Sequence, residues 1–325
     1  MGSTLRRWAE ALTVPLALLV IPAGAETFSL PPADVDLVGS LGWGRVESGD
    51  TLLDVARRHD IGQEEILLAN PGLDRWLPPA GSRVLLPSRY ILPSAERKGL
   101  VLNLPEMRLY WFDPNAVPPR LATYPVSVGR MDWKTPLGTT RIQAKQRDPW
   151  WHPPESVKEE AAAEGRQVPD AVPPGPENPL GSHALRLALP GYLIHGTNKP
   201  FGVGMRVTHG CIRLDPEDIA ELFAQVPTGA QVQIVNQPVK LGWVGELLFI
   251  EIHPPLEEDQ IPRQRLLRRT LEQIYTVLED RPVRLDGSAL REATRTQTGI
   301  PMLISQPPTE SPQSGNNTQQ GLEQH

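Results

Sequence analysis

The spacing of apolar residues changes at Lys98, and that change commits the chain to at least two units of different architecture. Upstream, Leu52, Leu53, Val55 and Ala56 recur at the helical period of about 3.6 residues, directly after Asp50 and Thr51, which can cap a helix start. Downstream, "GLVLNLPEMRLYWF" alternates. It reads as two strands around Pro105-Glu106, with Met107, Leu109 and Trp111 on one face and Arg108, Tyr110 and Phe112 on the other. At 325 residues the chain is also longer than one typical domain. Its 36 prolines are about twice the usual share. They cluster at Pro31-Pro32, Pro78-Pro79, Pro118-Pro119, Pro153-Pro154, Pro173-Pro176 and Pro307-Pro308, which marks linkers and long ordered loops.

The upstream unit spans 42–93. Short extended runs lie around Val46 and at Arg83 to Leu86, a helix starts at Leu52, and a second covers Gln63 to Ala69 before the stop Asn70-Pro71-Gly72. The expected order is βααβ, with 26–41 as a Pro-rich linker. The downstream unit, 97–236, is expected to be mainly β. Further strands are expected at 121–128, 139–144, 185–189, 192–195 and 231–235. One clear helix interrupts them at Asp215 to Val226, with Asp215 as N-cap, Pro216 at the first helical position, Asp218 at the capping-box position, and Ile219, Leu222, Phe223 and Val226 on one face. Between Asp148 and Leu180 there is little pattern apart from 156–165. Connections this long inside a domain are usually functional, and this one is read as a loop roofing the site. Residues 237–300 are expected to form an extension of a hairpin plus a helix over 264–279. The stretch 301–325 ends in a polar run from Ser305 with nothing to bury and is expected to be disordered.

The first 25 residues carry Arg6 and Arg7, an apolar run from Ala11 to Ile21, and Ala23-Gly-Ala25, the pattern of a signal peptide cut after Ala25. The run is shorter than the roughly 20 residues that span a bilayer. Export to an oxidising compartment leaves the lone cysteine, Cys211, without an intramolecular partner, so it is buried and inert, paired between chains, or a thiol with a task. A net charge of −6 offers no basic stripe and argues against nucleic acid as a partner.

Cys211 lies in "IHGTNKPFGVGMRVTHGCIRL". A thiol attacks acyl groups as thiolate and needs a base beside it. His209, two residues away, points to the same side in an extended backbone, while His195 ends the apolar strand "YLIH"; spacing does not choose between them. Gly210 permits a sharp turn, and the N–H groups of Gly210 and Cys211 could converge on an oxyanion. Arg213 offers a positive fork for a carboxylate. With no second cysteine and no HExxH pattern, a structural metal site lacks its ligands, and no cofactor is implied.

Two resemblances sharpen these readings. "V-x-SGDTLLDVARRHDI", "ILLANP" and "GSRVLLP" resemble the LysM module, which implies binding of N-acetylglucosamine-containing glycan strands of peptidoglycan. "HGTNKPFGVGMRVTHGCIRL", with "TPLGTTRI", "DPWWHPP" and "NPLGSHALRL", resembles the L,D-transpeptidase family with its YkuD-like catalytic domain. That resemblance implies a β-sandwich with a helix after the nucleophile, Cys211 as nucleophile, His195 as general base, and the Gly196 carbonyl orienting the imidazole. His209 would shape the oxyanion turn, supported by Thr208 and Arg213, and Trp150, Trp151 and His152 would contact substrate. The implied partners, in the periplasm, are peptidoglycan stem peptides and, as acyl acceptor, either an outer-membrane lipoprotein or a second stem peptide that gives a 3-3 cross-link. Competing expectations are an L,D-carboxypeptidase, a non-catalytic wall-binding scaffold, and a papain-like peptidase. The last has only His253 downstream of the cysteine and before the tail.

Overall fold

The computed structural model describes residues 26–306, so the expected signal segment 1–25 and the stretch 307–325 lie outside the described residues. The expected linker 26–41 is a correction. Glu26–Ser29 (β1) pairs antiparallel with Arg120–Pro125 (β8), and Leu37–Gly39 (β2) pairs with Arg89–Ile91 (β5). These runs are too short to announce themselves as strands; the unpaired edges they meet make them strands.

The LysM-like unit follows the expected order: Gly42–Arg45 (β3), Leu52–Arg58 (α1), Gln63–Ala69 (α2) and Arg83–Leu86 (β4). Thr51 caps α1, accepting from Asp54 N at 3.2 Å while the Asp54 carboxylate takes the Thr51 N–H at 2.8 Å. Asn70 ends α2 and ties it to β4, exchanging two hydrogen bonds with the Leu85 backbone at 2.8 and 2.9 Å. Leu52, Val55, Ile66 and Val84 are fully buried at the centre of this unit, each contributing about 1.5–3 kcal/mol by leaving water.

The larger unit is mainly β. Gly99–Asn103 (β6) and Arg108–Asp113 (β7) form the expected hairpin, and Val128–Gly129 (β9) follows β8. Gly138–Arg147 (β10), His183–Leu187 (β11), Leu193–His195 (β12), Arg206–Thr208 (β13), Ile212–Arg213 (β14) and Gln231–Val235 (β15) complete it. One nine-stranded sheet runs β1-β8-β7-β6-β15-β10-β11-β12-β14, and β13 pairs separately with β9. A bulge between Ile142 and Ala144 in β10 bends the sheet, so its two flanks face each other across a single core. Leu102, Leu109 and Tyr124 from one flank meet Leu185, Ile194 and Ile212 from the other. The helix Pro216–Gln225 (α4) seals that core with Ile219, Leu222, Phe223 and its C-cap Val226. Asp215 caps it as expected, accepting from Glu217 N at 3.2 Å. Asp218 does not serve the cap; its buried carboxyl turns against Asp60 of the LysM-like unit.

The second face of the β6–β7 hairpin is also covered. Val101, Tyr110 and Phe112 pack with Val38, Tyr90 and Leu92, and Arg108, fully buried, reaches Glu65 of α2 through Nε at 2.7 Å and a second nitrogen at 2.8 Å. Alternation therefore separates two buried faces here rather than core from solvent.

The extension holds more than the expected hairpin and helix. Val239–Val244 (β16) and Leu247–Ile252 (β17) form the hairpin and Arg263–Asp280 (α5) the helix; Gly287–Thr296 (α6) and a third strand, Met302–Leu303 (β18), pack against them. Residues 301–306, expected in a disordered tail, are thus ordered by pairing with β17. Lys240 anchors the extension, its ammonium 2.8 Å from Glu106 and 2.7 Å from Glu251 in a buried cluster that includes His253. Glu106, Glu251 and His253 have the spacing of a metal site, but the lysine supplies the cation. Glu251 is buried, yet Lys240 and His253 hold its carboxyl below the usual range.

Candidate active site

Cys211 and His195 are brought to one cavity by the parallel pairing of β12 with β14, in which Ile194 lies opposite Ile212 and His195 opposite Arg213. The cavity has a volume of about 960 Å³. Its walls come from the β11–β12 turn, the nucleophile segment and the long connection 148–180, which carries the helix Glu155–Ala163 (α3). The partly exposed Cys211 lies with Sγ 3.7 Å from the Gly191 carbonyl. Burial pushes its thiol up, against the pull of the Leu193 backbone and Arg213.

His195 is 5 % exposed and its Nδ1 lies 2.6 Å from the Gly196 carbonyl. A carbonyl only accepts, so Nδ1 carries the proton and Nε2 is left with its lone pair. Burial, and then Arg213, pull His195 down to about 4, opposed by the bond to Gly196. At neutral pH both thiol and imidazole are uncharged.

His209 has a different environment. Its Nδ1 meets Ser156 Oγ at 3.1 Å and its Nε2 meets Glu160 Oε2 at 2.9 Å, both on α3. Its ring lies against Trp133, centroids 4.1 Å apart. Burial holds it below its usual range, with Glu160 pulling the other way.

The turn at Cys211 is set by Gly210, with φ +96°. A Cβ there would lie 2.8 Å from Tyr192 Cε1 and 3.3 Å from the Lys134 carbonyl, so only glycine fits without strain. The turn's carbonyls are fixed: Thr135 Oγ1 donates to Gly210 O at 2.9 Å and Thr208 Oγ1 to Cys211 O at 2.6 Å. Among the described residues no acceptor takes the N–H of Gly210 or Cys211. Arg213 lines the cavity, and its Nε makes no hydrogen bond among the described residues.

Trp150, Trp151 and His152 line the cavity on the roofing side, Trp150 being 54 % exposed and Trp151 bridged to Val172. His253 does not line it, being held 2.6 Å from Glu251 in the extension's buried cluster. Among the described residues the papain-like arrangement therefore has no downstream histidine at the thiol. Sequence reading missed Thr135, Trp133, Arg130 and Glu160. Thr135 lies inside "TPLGTTRI", but nothing local says that its hydroxyl would reach the turn at Gly210.

Residues 97–234 match the YkuD family, an L,D-transpeptidase catalytic domain, and residues 45–87 match the LysM domain. The chain is 38% identical over 307 residues to the probable L,D-transpeptidase YcfS of Escherichia coli (strain K12), covering 92% of this chain and 94% of that protein. It is 39% identical over 240 residues to the probable L,D-transpeptidase ErfK/SrfK of the same organism, covering 73% of this chain and 76% of that one. Among solved structures, the catalytic domain of the E. faecium L,D-transpeptidase is 18% identical with a TM-score of 0.33, covering 44% of this chain and 100% of that one. The two relatives share this chain's sequence across most of their own lengths, and the chain belongs to the L,D-transpeptidase family.

Proposed function

We propose that this protein is a peptidoglycan L,D-transpeptidase in which Cys211 attacks the carbonyl of the third-position diamino acid of a stem tetrapeptide. The observation that carries this reading is the pairing of β12 with β14, which supplies a thiol and a histidine of fixed tautomer to one roofed cavity. His195 is favoured as base because Nε2 keeps its lone pair, whereas both nitrogens of His209 are engaged by α3.

Both groups start neutral, so the Sγ proton passes to His195 Nε2 as the C–S bond forms. The N–H groups of Gly210 and Cys211 receive the oxyanion, and the collapsing intermediate expels D-Ala, whose amine takes the proton back from His195. A thioester remains. An amine, from a lipoprotein lysine or a second stem peptide, then forms an amide and frees the thiol. Arg213, with its free Nε, suits a stem-peptide carboxylate, and Trp150, Trp151 and His152 suit contacts to the donor stem. The LysM-like unit holds the enzyme on glycan strands, and the segment 1–25 delivers it to the periplasm.

The test is intact mass after incubation of the mature protein with a disaccharide-tetrapeptide, alone and then with an amine. An acyl adduct with D-Ala release, lost in Cys211→Ala and cleared by the amine, is the expected result. A reduced protein that forms no adduct on several tetrapeptide donors would leave a wall-binding scaffold as the better account.

A further inference from the structure

The roof over the cavity is attached to the nucleophile turn through one closed set of contacts. Glu160 on α3 accepts from His209 with one oxygen and pairs with Arg130 through the other. The Arg130 guanidinium lies 4.2 Å from the centre of the Trp133 ring, and Trp133 lies against His209. Three segments are thereby joined: the connection after β9, the roof, and the stretch ending in Cys211. Among the described residues, the side-chain hydrogen bonds from α3 to the rest of the domain are those of Glu160 and Ser156 to His209 and Arg130. Apart from the Asp148 N–H bond to the Ser182 carbonyl at its root, the roof's further polar contacts include ones within itself: Lys158 to Asp170, Trp151 to Val172, and Asn178 to Pro149, Val172 and Pro173. Of the α3 side chains, Glu160 alone bonds to both His209 and Arg130.

We propose that Glu160 is a positioning residue which, through His209 and Arg130, clasps α3 over Cys211 and so decides whether an amine or water resolves the acyl-enzyme. The inference rests on the transpeptidase reading. In aminolysis the amine nitrogen bonds to the thioester carbon, the C–S bond breaks, and the amine's proton passes through His195 to the departing sulfur. Water makes the same moves and yields a carboxylic acid. An amine is the better nucleophile toward a thioester but water is in large excess, so the outcome follows access: a closed roof keeps the bound amine in place and bulk water out, and an open one admits water.

The experiment compares full-length mature wild type, Glu160→Ala and Glu160→Gln on a tetrapeptide donor with a lysine-containing peptide as acceptor. D-Ala release measures acylation, the ratio of amide to hydrolysed product measures partition, and hydrogen exchange over 155–163 measures the roof. Glutamine can still accept from Arg130 and donate to a neutral His209, so it should restore the clasp. The expected result is an amide-to-acid ratio lowered at least about tenfold in Glu160→Ala with acylation lowered less than about threefold. Exchange over α3 should be faster in that variant, and both properties should return in Glu160→Gln. An unchanged ratio in Glu160→Ala overturns the proposal, as does acylation and aminolysis falling in parallel with glutamine no better than alanine. Absence of D-Ala release by wild type would instead fail the transpeptidase reading itself.

Discussion

The Nδ1–H of His195 donates to the carbonyl oxygen of Gly196 at 2.6 Å, so the backbone of the next residue fixes the tautomer of the ring. Many histidine bases are oriented by a carboxylate, which would also raise the basicity of the imidazole. A neutral carbonyl orients the ring without that gain, and burial draws His195 down to about 4. The same burial pushes the Cys211 thiol up. Both shifts favour a neutral thiol and a neutral imidazole at rest over a thiolate and an imidazolium.

This sets the pH dependence of acylation. As the proposed base His195 must be unprotonated, so activity should be lost only as pH falls toward about 4, with a flat profile from about 5.5 to about 8. D-Ala release measured against pH, with folding monitored in parallel, checks it. An acid limb near pH 6.5 would point to a preformed ion pair. Replacement of His195 by glutamine should lower acylation by about 10²–10⁴-fold.

Gly210→Ala separates geometry from chemistry. The added Cβ meets Tyr192 at 2.8 Å at a φ of +96°, so the turn must shift and carry the two N–H groups off the proposed oxyanion position. Acylation should fall by about 10²–10³-fold, with strain of about 1–3 kcal/mol lowering Tm slightly. Pre-steady-state D-Ala release and thermal unfolding measure the two effects. A variant as active as wild type would remove this turn from the mechanism.

The buried ion pair between Arg108 and Glu65 joins the sheet to α2. Glu65→Ala leaves a guanidinium buried without its partner and should cost about 3–5 kcal/mol. The double variant Glu65→Leu with Arg108→Met removes both charges and should recover much of that loss. Denaturant unfolding of the set, with hydrogen exchange over 45–87 to show where the chain loosens, tests the coupling; equal losses in single and double variants would refute it.

Asp60 and Asp218 meet across the same interface. Burial, with Glu26, holds Asp60 up at about 7 against Arg108, while burial, Asp60, Asp215 and Glu221 hold Asp218 well above its ordinary value. A carboxyl whose folded-state value is raised favours folding while protonated. Its contribution is full below the ordinary value of 3.8 and is lost as pH rises through about 7. Asp218→Asn, whose amide can donate to the Asp60 carboxylate, should therefore stabilise the protein at pH about 8 relative to wild type and much less at pH about 4. Tm measured across that range for both proteins tests the sign.

Much of this architecture was legible because it is written in neighbouring residues. The cap at Thr51, the stop at Asn70, the strand pair around Pro105-Glu106 and the helix after Asp215 all follow from local periods and turn chemistry. The motif around Cys211 marked the candidate nucleophile, and the glycine before it marked the turn. What local pattern could not carry were relations through space. Whether His195 or His209 serves the thiol depends on strand pairing sixteen and two residues from Cys211 and on a helix some fifty residues away that occupies His209. Burial of Arg108 depends on α2 packing against the β6–β7 hairpin, and the strands at 26–29 and 302–303 exist because open sheet edges receive them. Period and capping act over a few residues and survive in any context, whereas ion pairs, edge pairing and cavity walls arise only when distant segments are brought to the same place.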